Sequence, residues 1–399
     1  MINPSVHGWI DKFFIEQKSV SQLNFDNSID FYIKIRNTGF IFGHNVSFIV
    51  INPIEFAHWT VIEKSKIGLL NTLFQTYYYT LNSNDTKDFI EKAVSFYSII
   101  TPEGFNPLKK MLASSSNSSK LEKIIHERVQ TNEDMFSKNF SHVLTNALLF
   151  TDVLAFKKYL NKETITTKYI SKLEEIITSV VSLSLKVKSN KTKHDVLLQK
   201  LFDSSVRYNK TVINEDTSIE TLDFSFLKND IEKYYIIDLA GISLWSDEKV
   251  ENEERYFLYS LGRELNISDD FILKSIEFIN YFIINYKSEI AYFKHANPVK
   301  HFYDNTTDTV VLLITRNKKR LLKEISESKE LMQLLAKSTI KDLNKEEKKK
   351  IKNQLLDICK TIPSLTIFLL PGGSLLLPIL IKFIPKMLPS AFNENALDD

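Results

Sequence analysis

Twenty uncharged residues in succession, Ile362 to Ile381, restrict the folding of this chain more than any other feature of its sequence. A continuous helix of that length would just cross a hydrocarbon core of about 30 Å at roughly 1.5 Å per residue. Pro371, Gly372, Gly373 and Pro378 interrupt it, removing backbone donors and loosening any helix they enter. Three outcomes stay open: a membrane crossing, a broken, re-entrant or interfacial helix, or a buried C-terminal helix pair in a soluble protein. Pro363 lies at the start of the run and Pro385 and Pro389 follow it, so the last forty residues hold five of the ten prolines.

Charge around the run is asymmetric. Residues 315 to 360 carry fourteen Lys and Arg against seven Asp and Glu, while the first 314 residues are about four charges negative. Lys348, Lys349, Lys350, Lys352 and Lys360 precede the run; Lys382 and Lys386 follow it, before Glu394, Asp398 and Asp399. The positive-inside rule then leaves the bulk of the chain in the cytoplasm and the C-terminal segment at the inner membrane, with membrane lipids as partners. Each lysine near an anionic surface contributes about 1 kcal/mol. A solvated helix face accounts for the same lysines equally well. Asn344 followed by Glu347 forms an Asn-x-x-Glu capping box that starts the basic helix. Ile351, Leu355 and Ile358 then share one side of it, with lysines on the other.

Glycine is scarce, at nine residues, while Phe and Tyr number 28 and 16, which favours long helices over tight turns. The expected fold is all-α and multi-domain, ending in a proline-rich apolar segment. Four regions follow: an aromatic-rich helical region over 1–113, a helical region over 120–228, a helical domain over 229–300, and a basic helix plus apolar span over 315–395. Phe31 to Ile51 reads ambiguously between strand alternation and helix. The tract Ser114 to Ser119 reads as a loop or linker and residues 214 to 229 as a second connection. Ile170, Leu173, Ile176, Ile177, Val180 and Val181 recur at helical spacing. The single cysteine, Cys359, excludes an internal disulfide framework and reads as a packed residue. The N-terminus lacks a basic stretch leading into an apolar one, so no secretory signal is expected.

Leu376 to Phe392, L-L-P-I-L-I-K-F-I-P-K-M-L-P-S-A-F, resembles the membrane-segment signature of the LETM family, the leucine-zipper/EF-hand-containing transmembrane proteins of mitochondrial inner membranes. That signature runs L-L-P-x-x-x-K-x-F-P-x-M-L-P-S-x-F. Pro378, Lys382, Pro385, Met387, Pro389, Ser390 and Phe392 fall on it in order, and the basic helix ahead of Ile362-Pro363 is similar as well. The resemblance covers residues 320 to 395 and is nearest to the bacterial LETM-related biofilm-associated proteins. It implies a membrane-associated scaffold or a role in cation or proton homeostasis, in a biofilm-related setting, with the ribosome and a homo-oligomer or protein as partners. It makes Pro363, Pro371, Pro378, Lys382, Pro385 and Pro389 the membrane-segment motif. The chain departs from the mitochondrial members in two respects. It stops seven residues after Phe392, so the domain that follows their span is expected to be missing, and it has no D-x-[DN]-x-[DN]-G calcium loop.

Tyr234 to Tyr292 is similar to the small helical domain of the tellurite-resistance TerB-like group, through Ile237-Asp238-Leu239-Ala240-Gly241, Ser246-Asp247-Glu248 and Glu253-Glu254. The glycine of that pattern is Glu248 here. An acidic loop of Asp238, Asp247, Glu251, Glu253 and Glu254 suits a hard cation, Asp247, Glu251 and Glu254 being the candidate ligands. Acids that stabilise a helix N-terminus explain the same pattern, and no bound metal or cofactor is expected. The phosphate-loop, dinucleotide, hydrolase-elbow and zinc-protease motifs are all absent. His295 and His301, the closest histidine pair, read as surface residues, and a non-enzyme that does not bind nucleic acid is expected. The alternative is a soluble helical interaction protein with the TerB-like domain as its functional module.

Overall fold

A computed structural model describes residues 2–17, 24–50, 56, 59–100, 116–135, 141–162, 167–188, 191, 218–245, 252–286, 314, 317–341, 343–362, 365, 381 and 384. Among these residues there are thirteen α-helices and no strand. They are α1 (Trp9–Glu16), α2 (Ser28–Asn37), α3 (Val61–Leu81), α4 (Thr86–Ile100), α5 (Asn117–Met135), α6 (Ser141–Leu160) and α7 (Thr167–Val187). There follow α8 (Asp230–Leu244), α9 (Asn252–Leu265), α10 (Asp269–Tyr286), α11 (Lys318–Glu327), α12 (Lys329–Ile340) and α13 (Lys345–Thr361).

Side chains at the helix starts set the boundaries. Asn27 opens α2 by accepting from the Asp30 amide, and Thr60 with Glu63 closes a reciprocal capping box on α3. Asn229 with Glu232 does the same for α8. The stretch from Phe31 onward is α2 followed by a 3-10 turn at Phe40–Phe42. Its alternating aromatics serve helix packing, with Phe31, Tyr32, Ile35, Phe40, Ile41 and Phe42 all buried. Gly39 makes this corner possible. Its φ is +78°, and a Cβ there would lie 2.0 Å from the His44 carbonyl oxygen.

The described part of the serine tract, Ser116 to Ser119, differs from its sequence reading as a linker, and Ser114 and Ser115 lie outside the described residues. Asn117 to Ser119 are the first turn of α5, and Ser116 Oγ accepts from the Ser119 amide at 3.3 Å. Serine favours loops and helix starts for the same reason, its hydroxyl bonding to nearby backbone amides. The tract is docked as well: Ser118 Oγ donates to Asp11 Oδ1 at 2.7 Å.

Helix α6 packs against α3, α5 and the 3-10 turn, and α8 against α7, α10, α9 and α2. Helix α3 is buried nearly all round, from Ser65 to Leu73. Aromatic side chains fill the interior, as in the stacked pair Phe31–Tyr79 at 4.3 Å and the edge-on pair Phe14–Phe74 at 4.9 Å. Two buried ionic groups cross it. Arg128 on α5 holds Asp152 on α6 through two bonds of 2.8 and 2.9 Å, and Tyr97 donates to the same carboxylate at 3.1 Å. Asp238, fully buried on α8, accepts from Tyr32 at 2.6 Å and from Ser275, with the Arg36 guanidinium 3.7 Å away. Arg36 lies over the ring of Phe278 at 4.6 Å.

Asp238 therefore does not belong to an acidic loop. The capping box at Asn229 starts a helix that runs through it, and its carboxylate ties α2, α8 and α10 together. Burial raises its pKa above the usual carboxylate range, against the opposing pull of Arg36, Ser275 and Tyr32.

Candidate docking surface

Helices α11, α12 and α13 form a three-helix unit at the C-terminal end. Leu321, Ile325, Leu331, Leu335, Ile351, Leu355 and Ile358 are buried in it. The capping box of α13 is formed as the sequence predicts: Asn344 Oδ1 accepts from the Glu347 amide at 2.9 Å, and Glu347 Oε2 accepts from the Asn344 amide at 3.0 Å. Cys359 is a packed residue, 1% exposed, and burial pushes its thiol up to about 12.

A polar clasp joins α12 to α13. Lys350 donates to Glu330 at 2.6 Å, Gln354 donates to the other Glu330 oxygen at 2.8 Å, and Lys337 pairs with Glu347. These lysines hold the Glu330 and Glu347 carboxyls below their ordinary range. The clasp leaves a basic remainder. Lys318, Lys319, Lys323, Lys345, Lys348 and Lys349 make no ion pair among the described residues. Arg320 donates to the Thr361 carbonyl, so the first turn of α11 sits at the last residue of α13. Lys318 and Lys319 thus stand where α13 runs into the apolar segment.

Pro363, Pro371, Pro378, Lys382, Pro385 and Pro389 lie outside the described residues. Four apolar residues from this region are described, and all are buried: Ile362, Leu365, Ile381 and Ile384. No helix among the described residues is long and apolar enough to cross a membrane. Of the suggested cation ligands, Asp247 and Glu251 lie outside the described residues, and Glu254 is fully buried in the first turn of α9. No group of three or more potential metal ligands assembles among the described residues. The Arg36–Asp238 and Arg128–Asp152 pairs were not apparent in the sequence, because nothing local marks partners so far apart along it.

The class defined by these observations is an all-helical protein with a compact basic three-helix unit at the entrance to a proline-punctuated apolar segment. Residues 343–398, about a seventh of the chain, match the family model described as LETM1-like, RBD, where RBD denotes a ribosome-binding domain. In this segment the chain is similar to the LETM family. No curated protein and no solved structure matches the chain.

Proposed function

We propose that this is a non-catalytic LETM-family protein that docks at a membrane surface through its C-terminal segment and acts there as a scaffold. The observation that carries this reading is the start of the LETM1-like match at Leu343, immediately before the capped basic helix α13. Lys318 and Lys319, which make no ion pair among the described residues, flank the point where that helix enters the apolar run, which suits anionic headgroups followed by the acyl boundary. Burial of Ile362, Leu365, Ile381 and Ile384 favours surface docking over a crossing. A crossing would withdraw all four from the protein, at about 1.5–3 kcal/mol each before any compensation by lipid. Ion exchange ranks below scaffolding, since no acidic residue lies between Lys360 and Phe392 to relay protons. The biofilm-related setting and a TerB-like role for α8–α10 rest on sequence resemblance.

Fractionation tests the proposal. The full chain should pellet with membranes, resist a high-salt wash, and lose attachment when truncated after Lys360. If both forms stay in the supernatant, the membrane reading fails. A second reading, ribosome binding, is favoured by the description of the matched segment. There the same lysines would meet phosphates, and the full chain would co-sediment with ribosomes in a strongly salt-dependent way.

A further inference from the structure

A cleft of about 190 Å³ opens between α1, α3, the backbone at Ile49 and Val50, and the start of α4 at Asn84 and Thr86, well apart in sequence from the LETM-like region. Phe13, Phe14 and Phe74 supply its apolar walls, Ile49 and Val50 its lip, and none of the described residues that line it is charged. One polar group in it is oriented by its neighbours. The Ile49 amide donates to Asn71 Oδ1 at 3.0 Å, and the Ile49 carbonyl accepts from Asn71 Nδ2 at 2.8 Å and Gln75 Nε2 at 3.1 Å. A carbonyl oxygen only accepts, so the Gln75 amide nitrogen must face Ile49 and its oxygen must face away. Gln75 is 5% exposed, and Oε1 has no hydrogen-bond partner among the described residues. That oxygen is nevertheless not sealed inside the protein, and the space Gln75 borders is the cleft.

We propose that this cleft binds an uncharged aromatic ring bearing one hydrogen-bond donor, of phenol or indole size, with the donor on Gln75 Oε1. Aromatic walls match a ring face or edge, and the absence of charge among the described lining residues disfavours ionic ligands. A cavity of about 150 Å³ accommodates benzene, so the space here admits a ring with one or two further heavy atoms. A free small molecule and a Tyr or Trp side chain present the same chemistry.

The test is calorimetric titration of the full chain with phenol, indole, toluene and N-acetyl-tryptophanamide. Phenol and indole should bind saturably. Gln75→Met, which keeps the volume and removes the acceptor, should weaken phenol about three- to tenfold and leave toluene unweakened, the fold-change expected for one hydrogen bond. Binding of N-acetyl-tryptophanamide assigns the site to a side chain of a partner; its failure beside bound indole assigns it to a free molecule. Val50→Trp, at the partly exposed lip, should block phenol and indole while leaving the melting temperature unchanged, and it decides the matter if Gln75→Met does not fold. The proposal is overturned if neither phenol nor indole saturates, if Gln75→Met leaves phenol affinity unchanged, or if Val50→Trp binds indole as the parent chain does.

Discussion

Replacing Asp152 by alanine isolates the role of the ionic pair between α5 and α6. The substitution deletes both guanidinium bonds, at 2.8 and 2.9 Å, and the 3.1 Å bond from Tyr97. The side chains of Arg128 and Asp152 are 7% and 0% exposed, so water cannot take the carboxylate's place without opening the helix interface. Arg128 Nη1 already lacks a partner, which leaves the whole guanidinium buried and unpaired in the variant. An orphaned buried charge of this kind costs about 3–5 kcal/mol, a large share of the roughly 5–15 kcal/mol that holds a typical domain together. Urea unfolding followed by circular dichroism measures the loss as a fall in the transition midpoint at unchanged slope. Arg128→Met with Asp152→Leu removes both charges and fills the space with apolar atoms, and should recover stability to within about 1–2 kcal/mol of the parent. If the single variant costs under about 1 kcal/mol, or the double variant is no better than the single, the pair is not the buried tie described here.

Three further outcomes are expected. Asn344→Ala should remove the cap of α13, lower stability by about 1 kcal/mol, and speed amide hydrogen exchange over residues 345–348, read by mass spectrometry. Gly39→Ala should destabilise by more than about 1 kcal/mol in thermal melts, because the left-handed φ of +78° and the His44 carbonyl both oppose a Cβ. The α12–α13 clasp should respond to acid. The Glu330 and Glu347 carboxyls are lowered in the folded state, so their contribution is present above the unfolded glutamate value, near about 4.3, and disappears as pH falls through the lower folded values. Cys359, the single cysteine, should then become faster to react with 4,4′-dithiodipyridine, which labels thiols in acid. Unchanged protection down to about pH 2.5, below the ordinary glutamate range, would remove the clasp from the account.

Local chemistry was legible in the sequence and distant pairing was not. Asn344 and Glu347 lie three residues apart, and Ile351, Leu355 and Ile358 share a helix face by spacing alone, so α13 is readable from its residues in order. The helical face of Ile170, Leu173, Ile177 and Val181 is readable in the same way, and all four are buried on α7. Ser116 misled because a serine hydroxyl serves a loop and a helix start equally, and only the docking of Ser118 onto Asp11 separates the two. Asp238 misled because an acid beside other acids looks like a cation loop until its partners are known. Those partners, Tyr32, Arg36 and Ser275, come from α2 and α10. Nor was the amide arrangement around Ile49 visible, since it depends on α3 approaching the backbone of a segment more than twenty residues earlier.

The bond from Tyr32 to Asp238 joins residues 206 positions apart. At synthesis rates of about 5–20 residues per second, Tyr32 leaves the ribosome roughly 10–40 s before its acceptor does. During that interval α2 carries a buried-type tyrosine and an arginine with no Asp238 carboxylate to meet them. A nascent chain of this design must keep the Tyr32 and Arg36 side of α2 uncovered until α8 emerges. Slowed translation or release before residue 238 would therefore be felt at α2, whose polar partner has not yet been made.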